Sequence, residues 1–154
     1  MKKEFDFRKA KESDLLRLRT LAEHSEAHWG FDDYFIKTFN EKYNLTVEFM
    51  KSNPVFIMNL EDEILGFWGI FQSKECAELE FFYIDVKHLK EGLGKHMWVH
   101  MISWCENQGI KKIEFVTSQQ AVGFYEKCGA VQDGKSISTI DGREIPHLSF
   151  EIMV

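Results

Sequence analysis

Residues 84–97 read IDVKHLKEGLGKHM, and this stretch decides the fold class. A predicted strand runs into Gly92 and Gly94, and the chain then continues directly into a predicted helix that contains Met97. Glycines permit backbone conformations with positive φ and the close approach of a ligand. The first N–H groups of a helix have no partners within the helix and carry the positive end of its dipole. The stretch therefore predicts an anion-binding junction between a strand and a helix, to which neighbouring lysines add positive charge.

The flanking segments show strand and helix patterns in the order βααβββαβαββ. Phe5 and Phe7 alternate with polar neighbours, which indicates a strand, and the apolar spacing after Asp14 indicates a helix. A second helix is predicted to begin near Asp32. The later predicted elements are strands over 55–59, 64–72 and 77–86, a helix over 94–109, a strand over 111–117, a helix over 118–128, and strands over 130–140 and 143–154.

This element order predicts an α/β (α+β) fold with a mixed, largely antiparallel central sheet flanked by helices. Parallel pairing is expected only where a helix crosses between two strands. Asp141 and Gly142 suit a tight hairpin turn between the last two strands, and Ser118 is the expected cap of helix 118–128. With 154 residues, the chain is expected to form a single domain over residues 1–154.

Composition and charge argue against several classes of protein. The start MKKEFDFRKAKESD lacks the apolar core of a signal peptide, and no apolar run approaches the roughly 18 residues of a membrane span. A cytoplasmic protein without a membrane partner is therefore expected. The formal net charge of −6 disfavours nucleic-acid binding, which depends on Lys and Arg meeting phosphates. Three cysteines without a CxxC pair indicate buried, reduced thiols, and His96 and His100 have no evident third ligand, so no metal site is predicted.

The octet GAVQDGKS at residues 129–136 has the spacing of a nucleotide-binding P-loop. A P-loop requires a strand before its first glycine and a helix that begins at its lysine. The residues before Gly129 are predicted to be helical, and those after Lys135 alternate as in a strand. The octet is therefore rejected as a nucleotide site, with Gly129 assigned to a helix end and Gly134 to a bulge or turn.

Three motifs together resemble one known family. RKAKESD at residues 8–14 matches an opening strand and first helix cap, IDVKHLKEGLGKHM matches a strand with its pyrophosphate loop, and AVGFYEKCGA at 121–130 matches a late helix. Over nearly its whole length the chain thus resembles the GNAT superfamily of acyl-CoA-dependent N-acetyltransferases. Leu89 stands where the family usually has Gln or Arg, and Ser118 stands where many relatives carry Asn. We expect the first departure to weaken coenzyme affinity without abolishing function.

The resemblance implies a binding site for acetyl-CoA as co-substrate, without a metal. Backbone amides from Lys90 through Lys95 would hold the diphosphate, and backbone groups near Phe82 and Ile84 would pair with the pantetheine arm. An amide close to Ile84 would polarise the thioester carbonyl. The implied coenzyme-binding residues are Phe82, Ile84, Leu89, Lys90, Glu91, Gly92, Leu93, Gly94, Lys95 and Ser118.

Glu78 and Glu80 are the implied catalytic carboxylates. Both point the same way along a predicted strand, and an alkylamine acceptor, with a pKa of about 10, needs a base to take its proton. A glutamate with its ordinary pKa of about 4.3 is a poor base, so burial or mutual repulsion would have to raise the pKa of one of them. The alternative is an exposed polar face of an antiparallel strand.

Tyr125 matches the family tyrosine that hydrogen-bonds or protonates the departing CoA sulfur, whereas its spacing alone favours a packed core residue. His28, Trp29 and Phe31 lie between the first two helices, in a region that shapes the acceptor pocket in relatives. Aromatic residues at such a bend are equally well explained as core, so both interpretations stay open.

The predicted function is direct transfer of an acetyl group from acetyl-CoA to an amine of a small molecule or peptide. The acidic residues Glu75, Glu78 and Glu80 favour a cationic acceptor. A covalent intermediate on Cys128 is not indicated, because no His and Asn pairing is visible to activate it. The alternative is a catalytically silent acyl-CoA-binding regulatory module. The family resemblance also allows a homodimer, which no sequence feature establishes.

Overall fold

The computed structural model describes residues 5–152. Its elements follow the predicted order, with one additional short helix, and the last two residues of predicted strand 143–154 lie outside the described residues. The strands are β1 Asp6–Lys9, β2 Val55–Leu60, β3 Glu63–Ser73, β4 Cys76–Ile84, β5 Lys112–Val116, β6 Val131–Ile137 and β7 Glu144–Glu151; the α-helices are α1 Leu15–His28, α2 Asp33–Lys42, α3 Val47–Ser52, α4 Leu93–Asn107 and α5 Val122–Lys127; and 3₁₀ turns occupy Glu12–Asp14, Val86–His88 and Gln119–Ala121.

The seven strands form one sheet in the order β1-β2-β3-β4-β5-β7-β6. Pairing is antiparallel between β1 and β2, β2 and β3, β5 and β7, and β6 and β7. Strands β4 and β5 are parallel and are connected through α4. The predicted mixed, largely antiparallel sheet is thus confirmed, including its parallel pair across a helical crossover. Among the described residues, no helix is both long enough and apolar enough to cross a membrane.

Helix α3 is the element that the sequence analysis did not assign. The Thr46 hydroxyl accepts a hydrogen bond from the Phe49 N–H at 3.1 Å, which caps the start of the helix. Pro54 disfavours helical backbone at the preceding Asn53, so the helix ends after 6 residues. Because so short a helix shows fewer than two turns of apolar periodicity, only the Thr46 cap could have indicated it.

The connection between the last two strands differs from the predicted tight turn at Asp141 and Gly142. The loop spans residues 138–143 and is closed by a hydrogen bond from the Ser138 N–H to the Arg143 carbonyl at 2.8 Å. The buried Ser138 hydroxyl also accepts hydrogen bonds from backbone N–H groups inside the loop. The prediction of a two-residue turn is therefore wrong, because the Ser138 side chain stabilises a longer loop in its place.

The predicted helix over 118–128 is α-helical only in its second half. Its first residues form the 3₁₀ turn Gln119–Ala121, and α5 follows. Ser118 occupies the cap position of the 3₁₀ turn, but its hydroxyl makes no capping hydrogen bond there. Ser118 thus lies at the predicted cap position, but the prediction that it caps the helix through its hydroxyl is wrong.

The octet at residues 129–136 has the opposite order of elements from a P-loop. Gly129 follows α5 with a φ of 103°, and Gly134 lies in β6 beside a shift in register against β7. The chain remains in β6 through Lys135, whose ammonium pairs with Glu144 at 3.1 Å, and every residue of β6 is exposed. The rejection of this octet as a nucleotide site is confirmed.

The described residues fall into two compact units, and β3, β4 and α4 each contribute to both. Unit 1 comprises the residues up to Ile70 together with Phe81–Met97. Unit 2 comprises Phe71–Glu80 together with the residues from Trp98 onward.

The core of unit 1 joins α1 to three strands. Leu18 and Leu21 of α1 share one buried cluster with Ile57 of β2 and Phe67 of β3. Burying each such side chain stabilises the fold by about 1.5–3 kcal/mol. Phe81 belongs to the same cluster, so the second half of β4 is fixed to this core.

The core of unit 2 is covered by α4. The Trp98 ring lies 6.2 Å from the Phe115 ring of β5 and 5.3 Å from the Phe150 ring of β7, measured between centroids. Met101 and Cys105 are fully buried on the same helix, as the apolar spacing of α4 predicts. This packing fixes the positions of β5 and β7, which carry part of the candidate site.

The three cysteines have different surroundings. Cys105 is buried, and burial raises the pKa of its thiol to about 12, so it stays an unreactive thiol. Cys76 is exposed and Cys128 is half-buried. The expectation of buried thiols therefore holds for Cys105 and is wrong for Cys76, which lies on the exposed face of β4.

Candidate active site

The end of β4 in unit 1 is anchored by Asp85. The Asp85 N–H donates to the Leu65 carbonyl of β3 at 2.8 Å. Its carboxylate accepts hydrogen bonds from the Arg17 guanidinium of α1 at 2.8 Å and from the Lys87 N–H at 3.1 Å. The strand therefore leaves the sheet in a defined direction, toward the segment predicted to bind an anion.

The loop that follows β4 combines two residues of positive φ with the start of a helix. Lys90 has a φ of 72° and Gly92 a φ of 77°, and α4 begins at Leu93. A left-handed conformation costs a residue other than glycine about 1–2 kcal/mol, so the surrounding structure must hold Lys90 in place. The first N–H groups of α4 have no acceptors within the helix, and this helix end favours an anion by about 0.3–1 kcal/mol.

The other loop residues divide between support and exposure. Leu93 is buried at 3% exposure and fastens the start of α4, while Leu89 and Gly94 are half-buried. The Lys90 and Lys95 side chains are exposed, as are Glu91 and Gly92. The structure thus brings the predicted loop residues together at one strand-to-helix junction with two exposed lysines.

Phe82 and Ile84 lie on the face of β4 opposite to Phe81 and Tyr83, because alternate strand residues point to opposite faces. The Tyr83 hydroxyl donates to Glu26 Oε1 of α1 at 2.8 Å, and its ring lies 5.7 Å from that of Phe67. These contacts fix the strand from its core side. Phe82 and Ile84 are half-buried.

Gly66 of β3 is a residue that the sequence analysis missed. A Cβ atom at Gly66 would overlap the Tyr83 carbonyl oxygen and would lie 2.9 Å from Ile84 Cδ1. Glycine therefore allows β3 and β4 to approach closely beside the predicted pantetheine strand. The LGF sequence, an isolated glycine inside a strand pattern, is the signal that could have indicated it.

Glu78 and Glu80 line a cavity of about 380 Å³ in unit 2. Strand pairing between β4 and β5 joins Cys76–Glu78 to Lys112–Glu114. The cavity begins at the end of this paired stretch. Its lining residues are Glu78, Leu79 and Glu80 of β4, Glu114, Phe115 and Val116 of β5, Asp133 of β6, and His147 and Leu148 of β7.

Glu80 has the pKa shift that the predicted base requires. Partial removal from water raises the pKa of its carboxyl, and repulsion by Glu78 and a hydrogen bond with Glu78 raise it further. Glu114 has a different setting, because its carboxylate pairs with the Lys112 ammonium at 3.2 Å. Glu80 is therefore a carboxyl of the recess whose charged form is disfavoured by its surroundings.

Asp133, His147 and Glu114 were not among the predicted site residues. They lie on β6, β7 and β5, and sheet pairing alone brings them to the same recess as Glu80. The imidazole Nε2 of His147 lies 3.0 Å from Ser136 Oγ, which orients the ring across the β6–β7 pair. A recess with this many carboxylates suits a cationic group.

Tyr125 is largely buried in unit 2, with 6% of its surface exposed. Its ring lies 4.6 Å from the Phe115 ring and 5.8 Å from the Trp98 ring. Because Phe115 also lines the cavity, Tyr125 packs directly behind one cavity wall. Ser118, by contrast, is half-buried after the end of β5.

The three predicted acceptor-pocket residues separate into two environments. Phe31 stacks on Phe35 of α2 with centroids 4.2 Å apart, which is a packing role. Trp29 is 42% exposed, and His28 is exposed beside it, with a ring distance of 5.2 Å. His28 and Trp29 therefore present more surface to a ligand than Phe31, which is half-buried.

Comparison with known proteins identifies the family. The model of the acetyltransferase (GNAT) family matches residues 17–130. The chain belongs to this family. The GNAT match includes β4, the glycine junction, α4, β5 and α5.

Solved GNAT structures share the fold at low sequence identity. The ribosomal-protein-S18-alanine N-acetyltransferase from Escherichia coli superposes with a TM-score of 0.71 at 19% identity, covering 98% of this chain and 96% of that chain. A putative GNAT acetyltransferase from Desulfovibrio desulfuricans gives a TM-score of 0.77 at 15% identity, covering 97% and 100%. The PaiA N-acetyltransferase from Thermoplasma acidophilum, in complex with coenzyme A, gives 0.74 at 15% identity, covering 96% and 99%. Curated protein sequences give no significant match.

These findings support acyltransfer and acyl-CoA binding by this GNAT chain. At these identities the solved structures show the fold alone.

Proposed function

We propose that this GNAT chain is an N-acetyltransferase, a single domain over residues 1–154, that transfers an acetyl group from acetyl-CoA directly to an amine of a small molecule or peptide. The observation that carries the proposal is Glu80, a carboxyl of raised pKa in a recess of the family's central strand. Such a carboxyl is a stronger base than an ordinary glutamate.

Coenzyme binding is assigned to the junction between β4 and α4. Backbone N–H groups of residues 90–95 hold the diphosphate, and the Lys90 and Lys95 ammonium groups add charge. The backbone of Phe82 and Ile84 binds the pantetheine arm by strand addition, and Ser118 contributes a polar contact. The positive φ angles at Lys90 and Gly92 support this assignment.

The chemistry needs one base and one acid. Glu80 accepts a proton from the ammonium form of the acceptor, with Glu78 maintaining its raised pKa, and the neutral nitrogen attacks the thioester carbonyl carbon. The nitrogen–carbon bond forms, the carbon–sulfur bond breaks, and Tyr125 donates a proton to the departing thiolate. The second proton of the attacking nitrogen, lost as the amide forms, returns by way of solvent to the Tyr125 oxygen, and Glu80 releases its own proton to solvent. A thiol has a pKa of about 8.5, so the thiolate leaves readily and the Tyr125 proton contributes less than the base.

The acceptor is assigned to a cationic amine. Glu78, Glu80, Glu114 and Asp133 line the same recess, and these carboxylates attract an ammonium group and repel an anionic one. Exposed His28 and Trp29 supply further acceptor contacts, whereas Phe31 supports α2. A homodimer is consistent with the family resemblance and is not needed for any of these steps.

The test begins with calorimetry of acetyl-CoA binding and continues with a panel of amines read through the release of free thiol. The double variant Glu78→Gln/Glu80→Gln is expected to bind acetyl-CoA like the wild type and to lose turnover. Glu75→Gln is the matched control, because Glu75 is exposed, pairs with Lys111 at 3.4 Å and does not line the cavity. Tyr125→Phe is expected to slow turnover by about 10². An unchanged rate would remove Tyr125 from the mechanism.

A second candidate is a catalytically silent acyl-CoA-binding regulatory module. The burial of Tyr125 among aromatic rings favours it, because a tyrosine in that setting also serves as core. Tight acetyl-CoA binding without turnover of any amine in the panel would support the module and contradict the enzyme.

A further inference from the structure

His88 forms a bridge beside the proposed coenzyme loop. Its Nε2 lies 2.7 Å from Glu63 Oε1, at the start of β3, and its Nδ1 lies 3.1 Å from Glu91 Oε2, in the loop itself. Glu91 stands between Lys90 and Gly92, the two loop residues with positive φ. The imidazole thus connects the most irregular part of the loop to the sheet.

The geometry of this bridge selects one protonation state of His88. An ionised carboxylate only accepts hydrogen bonds, so a ring nitrogen that contacts one must donate. Neutral imidazole has one N–H, whereas imidazolium has two. Both contacts are therefore satisfied together only when His88 carries a positive charge.

We propose that protonated His88 is a positioning residue for the coenzyme diphosphate. It ties the loop at Glu91 to β3 and cancels the negative charge of Glu91, which would otherwise repel the phosphates at the same junction. This inference rests on the proposed function, because it requires the diphosphate to bind at residues 90–95.

The bridge acts through coenzyme affinity more than through folding stability. Glu63 is half exposed, and ion pairs at such positions contribute little to stability. An uncompensated charge on a loop that binds an anion, by contrast, acts directly on the ligand. Variants of the bridge are therefore expected to keep their melting temperature while losing affinity.

The surroundings of His88 contain charges of both signs. Asp85 forms an ion pair with Arg17, and the Lys87 side chain is exposed. The carboxylates that contact the ring are those of Glu63 and Glu91. The charged groups on the segments packed around the bridge are Arg17 of α1, Glu61, Asp62 and Glu63 at the turn into β3, and Asp85, Lys87, Lys90 and Glu91 along its own segment.

The pH dependence follows from the sign of the shift. The hydrogen bond to Glu63 raises the pKa of His88; desolvation opposes this, and the contact with Glu91 adds to it. A group whose folded pKa is raised keeps its contribution at low pH and loses it as the pH rises through the folded value. Acetyl-CoA affinity is therefore expected to fall as the pH rises above the ordinary histidine pKa of about 6.5.

The experiment measures acetyl-CoA affinity by calorimetry from about pH 6 to about pH 9 for the wild type, His88→Gln, Glu63→Gln and the control His24→Gln. His24 is exposed on α1. The wild type and the control are expected to lose affinity by about five- to tenfold across the range. His88→Gln is expected to bind weakly at the low end, with a much shallower slope. The coenzyme 3′-phosphate also titrates near pH 6. Its contribution is the same for the wild type and for His88→Gln, so the difference between their slopes removes it.

A second readout needs no coenzyme. Ring ¹⁵N chemical shifts of His88 in the ligand-free protein are expected to show that both nitrogens stay protonated to a higher pH than in an ordinary histidine, and Glu63→Gln should move that titration to lower pH. Equal pH slopes for the wild type and His88→Gln would overturn the inference, as would a His88 ring that titrates like an exposed imidazole. If the wild type fails to bind acetyl-CoA at every pH, the proposed function fails as well.

Discussion

The two halves of β4 carry different chemistry in the same alternating pattern. In unit 2, Glu78 and Glu80 project into the acidic recess. In unit 1, Phe82 and Ile84 occupy the next two positions of that alternation. The outward side chains are charged in the unit 2 half and apolar in the unit 1 half. A single strand thus presents charged side chains along one part of its outward face and apolar side chains along the next. In the proposed function, the first part serves the acceptor and the second serves the coenzyme.

The core side of β4 explains why this is possible. Ala77 and Leu79 are buried in unit 2, and Phe81 is buried in unit 1, so the inward positions stay apolar along the strand. The outward positions are then free to change character without altering the fold. Substitutions on the outward face should consequently affect function in one half and have little effect in the other.

The largest effect is expected in the carboxylate half. Glu80→Gln should lower kcat/KM by about 10²–10⁴, because a glutamine cannot accept the acceptor proton. In the wild type, kcat/KM should rise with pH through the raised pKa of Glu80, since the base works only when ionised. A pH profile of kcat/KM for the best amine of the panel measures both.

Glu78→Gln tests whether Glu78 raises the pKa of the proposed base Glu80. Loss of the Glu78 charge removes a repulsion that raises the pKa of Glu80, so the rising limb of the profile should move to lower pH. Glu75→Gln, on the exposed hairpin before β4, should leave the profile unchanged. A rising limb that stays in place in Glu80→Gln would assign the base to another group.

An intermediate effect is expected where β3 supports the apolar half. Gly66→Ala places a methyl group against the Tyr83 carbonyl oxygen and Ile84 Cδ1, and should destabilise the protein by about 1–3 kcal/mol. Gly123→Ala is the matched control, because a Cβ at that position in α5 meets no atom within 4 Å. Thermal denaturation compares the two. Equal melting temperatures of the two variants would show that β3 and β4 can move apart to admit the methyl group without loss of folding stability.

The smallest effect is expected on the outward side of the apolar half. Phe82→Leu keeps the backbone and most of the apolar volume, so KM for acetyl-CoA should change by less than about tenfold. Steady-state kinetics with varied acetyl-CoA measures it. A larger loss would mean that the Phe82 ring itself binds the coenzyme and that the two halves of β4 do not differ as described.

The fold was predictable wherever local pattern and topology agree. The glycine junction before α4 combines a strand, a turn and a periodic helix within residues 84–97. Each of these parts has its own sequence signal. Helix α3 was missed because its 6 residues are too few for periodicity. The loop at 138–143 was misjudged because Asp141 and Gly142 are typical of a short turn, whereas the buried Ser138 hydroxyl stabilises a longer one.

The candidate site was predictable only along one strand. Glu78 and Glu80 are two residues apart, so their common direction follows from the strand period. Glu114, Asp133 and His147 reach the same recess through strand register, which depends on pairing between segments distant in sequence. The His88 bridge was missed for the same reason, because Glu63 lies 25 positions away on the chain.

The shift in register between Gln132 and Gly134 places one extra residue, Asp133, in β6 against β7. Side chains on an extended chain change face with every residue, so this single insertion resets the phase of the alternation. Gln132 and Gly134 are two positions apart in the sequence, yet they pair with the adjacent residues Leu148 and His147 and so lie on opposite faces of the sheet. In a regular strand both would lie on the same face, so the number of residues at this point, and not the identity of any side chain, sets the face on which Val131 and Gln132 lie.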